Sequence, residues 1–149
     1  MDAVTYSNQQ IIATIKDLFI PLGVDATKEN ELARLFKVEV TPAAIATDSR
    51  QKIFYRWDGF LAPEEFQQTL KLMRATFDLD RRKYDAAIEL LNEILEHAFG
   101  CAATAESLYL LGVAKYKKSG DFQQAVEQWR RLKLSFPNHP LIKKVDYAL

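Results

Sequence analysis

The sequence predicts an α/β segment with a mixed sheet over residues 1–62, followed by an all-α region of helical hairpins over residues 63–149. Three observations lead there. Helical and strand patterns alternate as far as Trp57, strand signals stop at Pro63, and one five-residue pattern occurs twice in the second region.

Ile11, Ile12, Ile15, Leu18 and Phe19 draw one apolar stripe at helical spacing over Ser7 to Phe19. Ser7 followed by Gln10 has the form of a capping box. Phe19 to Asp25 reads as a short buried strand, with Pro21 near its start, where a missing N–H does least harm. Lys28 to Phe36 reads as a second helix anchored by Leu32, Leu35 and Phe36. After Val40-Thr41-Pro42 come two strands, Ala43 to Thr47 and Lys52 to Trp57. The turn-forming Asp48-Ser49-Arg50-Gln51 between them predicts an antiparallel hairpin.

Pro63 suits the first turn of a helix, where its missing N–H would have no intrahelical partner, and Phe66, Leu70, Met73 and Phe77 mark that helix's buried face. A break at Asp80 to Lys83 precedes Tyr84 to His97, with Ala87, Ile88, Leu91 and Ile94 on one side and Gly100 beyond the end. Ala103 to Lys118 carries Tyr109, Gly112, Val113 and Tyr116. Gly120-Asp121 makes the turn into Phe122 to Phe136, which carries Ala125, Val126, Trp129 and Leu132. Pro137 ends that helix, and Pro140 to Ala148 reads as a last one.

Composition excludes several classes of function. The chain is 48% hydrophobic and 27% charged, as an ordinary globular protein is. Its twenty basic and twenty acidic side chains cancel, so no basic surface recommends nucleic acid or an anionic membrane as partner. The apolar runs are too short to span a bilayer. A single cysteine, Cys101, forbids an internal disulfide; with no apolar leader before the first helical pattern, it points to a reducing cytoplasm.

The repeated pattern is Tyr84-Asp85-Ala86-Ala87-Ile88 and Phe122-Gln123-Gln124-Ala125-Val126: aromatic, polar, variable, alanine, aliphatic. Each opens the second helix of a hairpin, where the alanine admits close approach and the aromatic wedges the turn. Glu106 to Pro137 resembles the tetratricopeptide repeat at Leu111-Gly112, Tyr116, Ala125, Trp129 and Pro137. The two units lie 38 residues apart, against about 34 in that family, and the first lacks the Gly and Pro positions. The resemblance implies protein or peptide partners on a concave face, for which Tyr109 and Tyr116 are the candidates.

In the first region, the order helix, strand, helix, Val-Thr-Pro, hairpin, helix resembles the thioredoxin fold, with Thr41 and Pro42 where that family carries a cis-proline lining its substrate groove. Arg56-Trp57-Asp58-Gly59-Phe60, running into Pro63 to Phe66, is similar to its last strand and helix. Tyr109 to Tyr116 looks like the tail of bacterial thioredoxin-like proteins that continue into such repeats. The family's Cys-x-x-Cys and the strand before it are absent. That strand lies inside the sheet, so its loss leaves unpaired edges, and self-association through an exposed edge is expected.

Other candidates give way to plainer readings. Cys101 lies between repeats without a base or second thiol beside it. His97 and His139 stand alone, not at metal-ligand spacing. Glu64 and Glu65 are adjacent, so they face apart on a helix. Trp57 and Trp129 fall at packing positions, and the basic runs fall on helix surfaces or turns. Neither catalytic residues nor a cofactor or metal site is expected. Two readings lead: a non-catalytic protein-interaction module that associates with itself, or a fragment of a thiol–disulfide oxidoreductase whose cysteine pair lies upstream of Met1; a nucleic-acid adaptor, which would bind with a steep salt dependence, is a lesser third.

Overall fold

The computed structural model describes residues 5–26, 28 and 31–149. It is mostly helical with one small antiparallel sheet. In chain order the elements are α1 (Gln9–Leu18), α2 (Glu31–Leu35), β1 (Ala43–Thr47), β2 (Ile53–Asp58), α3 (Pro63–Asp80), α4 (Tyr84–His97), α5 (Thr104–Ser119), α6 (Gln123–Ser135) and α7 (Ile142–Val145). A 3₁₀ turn over Asp146–Ala148 follows. The chain divides into two compact units within α3, one ending at Leu70 and the other starting at Lys71.

In the first unit α1 begins one residue later than the capping box implies. Asn8, not Ser7, is the cap: its Oδ1 accepts from the N–H groups of Gln10 at 2.9 Å and Ile11 at 3.3 Å. Ile11 is fully buried. Tyr6 sets its ring edge-on to Phe66 at 5.5 Å, and Thr5, fully buried, donates through Oγ1 to the carbonyl of Leu61 at 2.9 Å.

The predicted mixed sheet is not formed. β1 and β2 pair antiparallel, Ala44 opposite Trp57 and Ile45 opposite Arg56, and no third strand joins them among the described residues. Phe19–Asp25, read as a buried strand, has no strand assignment, and Ile20 is 99% exposed. Leu22 and Val24 are exposed as well. Alternating apolar residues become a strand only where a neighbouring strand takes their N–H and C=O groups, and none of the described residues forms one alongside. The second predicted helix shrinks to Glu31–Leu35; of the Lys28–Phe36 prediction, Glu29 and Asn30 lie outside the described residues.

The hairpin turn falls where its residues place it. Asp48 accepts through Oδ1 from the N–H groups of Arg50 at 2.9 Å and Lys52 at 3.0 Å, leaving Gln51 in the left-handed region at φ 63°. Arg56 ties the sheet to the end of α2. Its guanidinium donates to the carbonyls of Phe36 at 2.6 Å and Lys37 at 3.0 Å and to the Asp58 carboxylate at 2.7 Å. The Asp58 hydrogen bond pushes the Arg56 pKa further up. Two helix ends close without glycine: Lys37 and Arg82 adopt φ of 50° and 59°, and the following N–H groups reach back to Ala33 and Asp78.

The second unit is a run of antiparallel helices in which α4 packs on α5 and α5 on α6. Its core is aliphatic: Leu91, Ile94, Leu108, Leu111, Leu132 and Val145 are fully buried. Ala87 and Ala125, the small residues of the repeated pattern, are both 0% exposed, as close helix approach requires. Thr104 secures the α4–α5 connection. Its Oγ1 accepts from the Gly100 N–H at 2.9 Å and donates to the Ala98 carbonyl at 3.3 Å. Gly120, at φ 76°, closes α5 with its N–H on the Tyr116 carbonyl at 2.8 Å. The last predicted helix is divided between α7 and the 3₁₀ turn.

Leu91→Ala or Leu111→Ala is expected to lower the unfolding free energy by about 2–5 kcal/mol through lost transfer energy and a cavity. Gly120→Ala should cost about 1–2 kcal/mol because a Cβ is strained in the left-handed region. Exposed Lys117→Ala should stay within about 0.5 kcal/mol. Urea titrations followed by far-ultraviolet circular dichroism measure all of these.

Candidate functional site

Gly112 decides the geometry of the α5–α6 hairpin. A Cβ there would lie 2.6 Å from Nε1 of Trp129 and 3.1 Å from the Ala125 carbonyl oxygen, so glycine alone lets the indole lie flat against α5. That closeness lets Trp129 donate its indole N–H to the Tyr109 carbonyl at 3.1 Å, which satisfies the polar end of a 5% exposed side chain.

Aromatic side chains extend from this contact in both directions. Tyr109 stacks on Trp129 with ring centroids 6.2 Å apart and planes 17° from parallel, and the Lys144 ammonium sits 5.8 Å from the Tyr109 ring centre. On the other side Phe122 meets Trp129 edge-to-face at 5.7 Å, and Tyr116 meets Phe122 the same way at 5.5 Å. The two candidate tyrosines thus belong to one continuous run of rings. Tyr109 is half-buried within it, while Tyr116 and Phe122 are each about two-fifths exposed, at 41% and 39%.

In the first unit the Thr41–Pro42 peptide is cis and immediately precedes β1. Thr41 is exposed; Pro42 is half-buried and its carbonyl accepts from the Gly59 N–H at 2.8 Å, closing the open end of the hairpin. Trp57 is half-buried, and its indole N–H is enclosed with no hydrogen-bond partner among the described residues.

Cys101 is a half-buried free thiol, 3.6 Å from the Thr104 hydroxyl. His97 is exposed. His139 accepts through Nδ1 from the Leu141 N–H at 3.3 Å, a local turn contact. Glu64 and Glu65 lie exposed in the first turn of α3, where carboxylates favour the helix dipole. Among the described residues no group of three His, Cys, Asp or Glu side chains is placed to hold a metal ion, and no helix is long and apolar enough to cross a membrane.

The close-packed glycine, the buried alanine and the tryptophan over them fall within a stretch that also carries a family signature. Residues 106–139 match the tetratricopeptide repeat family. The match spans α5, α6 and the chain just beyond them, so the Gly112–Trp129 contact lies inside the repeat. The α4 pattern lies outside the match, although Ala87 is as buried as its repeat counterpart Ala125. No curated protein and no solved structure matches the chain. A tetratricopeptide repeat is a helical hairpin whose stacking builds a surface for other proteins, so a protein-interaction module is the function it suggests.

Gly112→Ala is expected to destabilise the repeat by about 1–3 kcal/mol through overpacking against the indole. Trp129→Phe should also destabilise it, by about 0.5–1.5 kcal/mol, because it removes the indole N–H bond to the Tyr109 carbonyl, which keeps only its donor within α5. Since the substitutions act at one contact, the double variant should lose less than the sum of the two, by at least about 0.5 kcal/mol in a urea double-mutant cycle.

Proposed function

We propose that the chain is a non-catalytic, cytoplasmic protein-interaction module, in which a degenerate or truncated thioredoxin-like segment carries tetratricopeptide-like repeats. The observation that carries this reading is the repeat itself: residues 106–139 match the family, and their hairpin is built around the Gly112–Trp129 approach. Tyr116 and Tyr109 are assigned to partner binding, Tyr116 through its exposed ring and Tyr109 by holding the run of rings in place. Thr41 and Pro42 are assigned to a second contact, a groove beside β1. Within the described residues β1 has β2 as its only strand partner, so its other edge is open to a strand from a second copy.

A second reading makes the chain a fragment of a thiol–disulfide oxidoreductase with its cysteine pair encoded upstream of Met1. It is supported by the order of helix, hairpin and helix around Val40-Thr41-Pro42. Reading the in-frame DNA before the Met1 codon separates the two: a strand pattern followed by Cys-x-x-Cys supports the fragment, and a stop codon removes it.

For the interaction module, replacing Tyr109 and Tyr116 together with glutamine should weaken capture of its protein partners about tenfold, the scale of one modest aromatic hot spot. Quantitative affinity capture with a variant that keeps its unfolding midpoint provides the measurement. An unchanged partner set would refute the tyrosine assignment. Light scattering across micromolar concentrations is expected to show a dimer, and a strict monomer throughout would remove the sheet-edge assignment.

A further inference from the structure

Two features of the first unit are incomplete in complementary ways. Phe19 leaves α1 in the extended region, at φ −143° and ψ 164°, and the chain runs on to Asp25 without secondary structure. Residues 20–25 are all exposed, among them the large apolar side chains of Ile20, Leu22 and Val24. The main-chain groups of residues 20–24 make no hydrogen bond with the described residues.

The outer edge of β1 lacks the same partners. The Gly59 N–H bonds the Pro42 carbonyl at 2.8 Å, in the register that sets Ala43 opposite Asp58 and Ala44 opposite Trp57. Hydrogen-bonded and non-hydrogen-bonded pairs alternate along an antiparallel ladder, so Ala44 bonds toward β2 while Ala43 and Ile45 turn their N–H and C=O groups away from it. No described residue takes those outward groups.

One proline decides which side of the segment can fill that edge. Successive residues of a strand offer their N–H and C=O groups to opposite sides, which sets Ile20, Leu22 and Val24 on one side and Phe19, Pro21, Gly23 and Asp25 on the other. Pro21 has no N–H to give, so only the side with Ile20, Leu22 and Val24 is a complete edge. With that side on β1, Pro21 and the Asp25 charge lie outermost and block the addition of a further strand.

We propose that two copies of the chain exchange these segments: residues 20–24 of each add to β1 of the other as a third strand, Leu22 beside Ile45. Each copy gives one strand and takes one, so the exchange closes as a two-fold dimer. Leu22 and Ile45 are the central residues of the two strands and meet whichever way the strands run. The inference rests on the open-edge reading of self-association and names the strand that fills the edge.

Light scattering measures the mass, and cross-linking tests the contact. Leu22→Cys and Ile45→Cys are made separately in full-length chains carrying Cys101→Ser, one of them isotopically labelled. They are mixed and bridged with a short bismethanethiosulfonate reagent, since opposed Cβ atoms lie about 4.5–5.5 Å apart. The mixed product should form, and neither variant alone should cross-link. Leu22→Lys should weaken the dimer at least about tenfold, because the exchange buries that leucine. Val24→Pro should weaken it about fivefold by deleting an N–H that faces β1, and Gly23→Pro, whose N–H faces outward, by less than about twofold. Leu134→Lys changes a leucine equally exposed on α6 and should also stay within about twofold.

A strict monomer overturns the exchange together with the open-edge reading. A dimer that yields no mixed product, or that Leu134→Lys weakens as much as Leu22→Lys, overturns the exchange alone. Growth beyond the dimer overturns its reciprocal closure. Unchanged far-ultraviolet circular dichroism shows that each variant is folded.

Discussion

The approach of the Trp129 indole to Gly112 sets the spacing on which the rest of the repeat depends. With an indole nitrogen only 2.6 Å from where a Cβ would sit, α6 lies close enough to α5 for Ala125 to be sealed from solvent and for the indole N–H to reach the Tyr109 carbonyl. Tyr109 then has a flat surface to stack on and Lys144 a ring to cover. Leu111, next to Gly112, turns its side chain into the fully buried core. A wider spacing would break both the hydrogen bond and the stacking, so one missing methyl group organises contacts from α5 to α7.

Different physics holds the first unit together. Its fixed points are hydrogen bonds between segments distant in sequence: Thr5 to Leu61, Gln67 to Thr14 at 3.3 Å, and the Arg56 guanidinium to the last carbonyls around α2. A two-stranded sheet is marginal by itself, because it buries too little apolar surface to offset the entropy of ordering it. The exposure of Ile20, Leu22, Val40 and Phe60 expresses the same shortage. These side chains have strand and core chemistry but stay outside the few buried apolar residues of this unit, Ile11, Ala46, Leu61, Phe66 and Leu70.

Much of the site was legible because its defining residues are unusual types at fixed spacing. Gly112 and Trp129 are both positions at which the sequence resembles the repeat family. The tyrosines were candidates only through the resemblance to the repeat family, which implies a concave partner face. Their different exposures were not readable, because they depend on which rings of α6 reach back to them. An open cavity of about 370 Å³, where the α5–α6 turn meets the start of α4, left almost no trace in the sequence. Lys117 and Lys118 form a visible basic pair, whereas Lys115, Gln124 and Ile88 are unremarkable until three helices bring them together.

What the sequence determined by itself is the set of local elements whose signals are carried by neighbouring residues. It placed the β1–β2 hairpin around the Asp48 turn, the start of α3 at Pro63, the closure of α5 at Gly120, and the repeated hairpin with its small residues inside. Each of these is decided within a few residues by φ preferences, missing N–H groups or side-chain caps. Tertiary structure alone decided the fate of Phe19–Asp25 and which side chains of three helices line the cavity beside Ile88. For both the reason is distance: an extended segment becomes a strand, and scattered side chains come to line one cavity, only through neighbours remote in the chain.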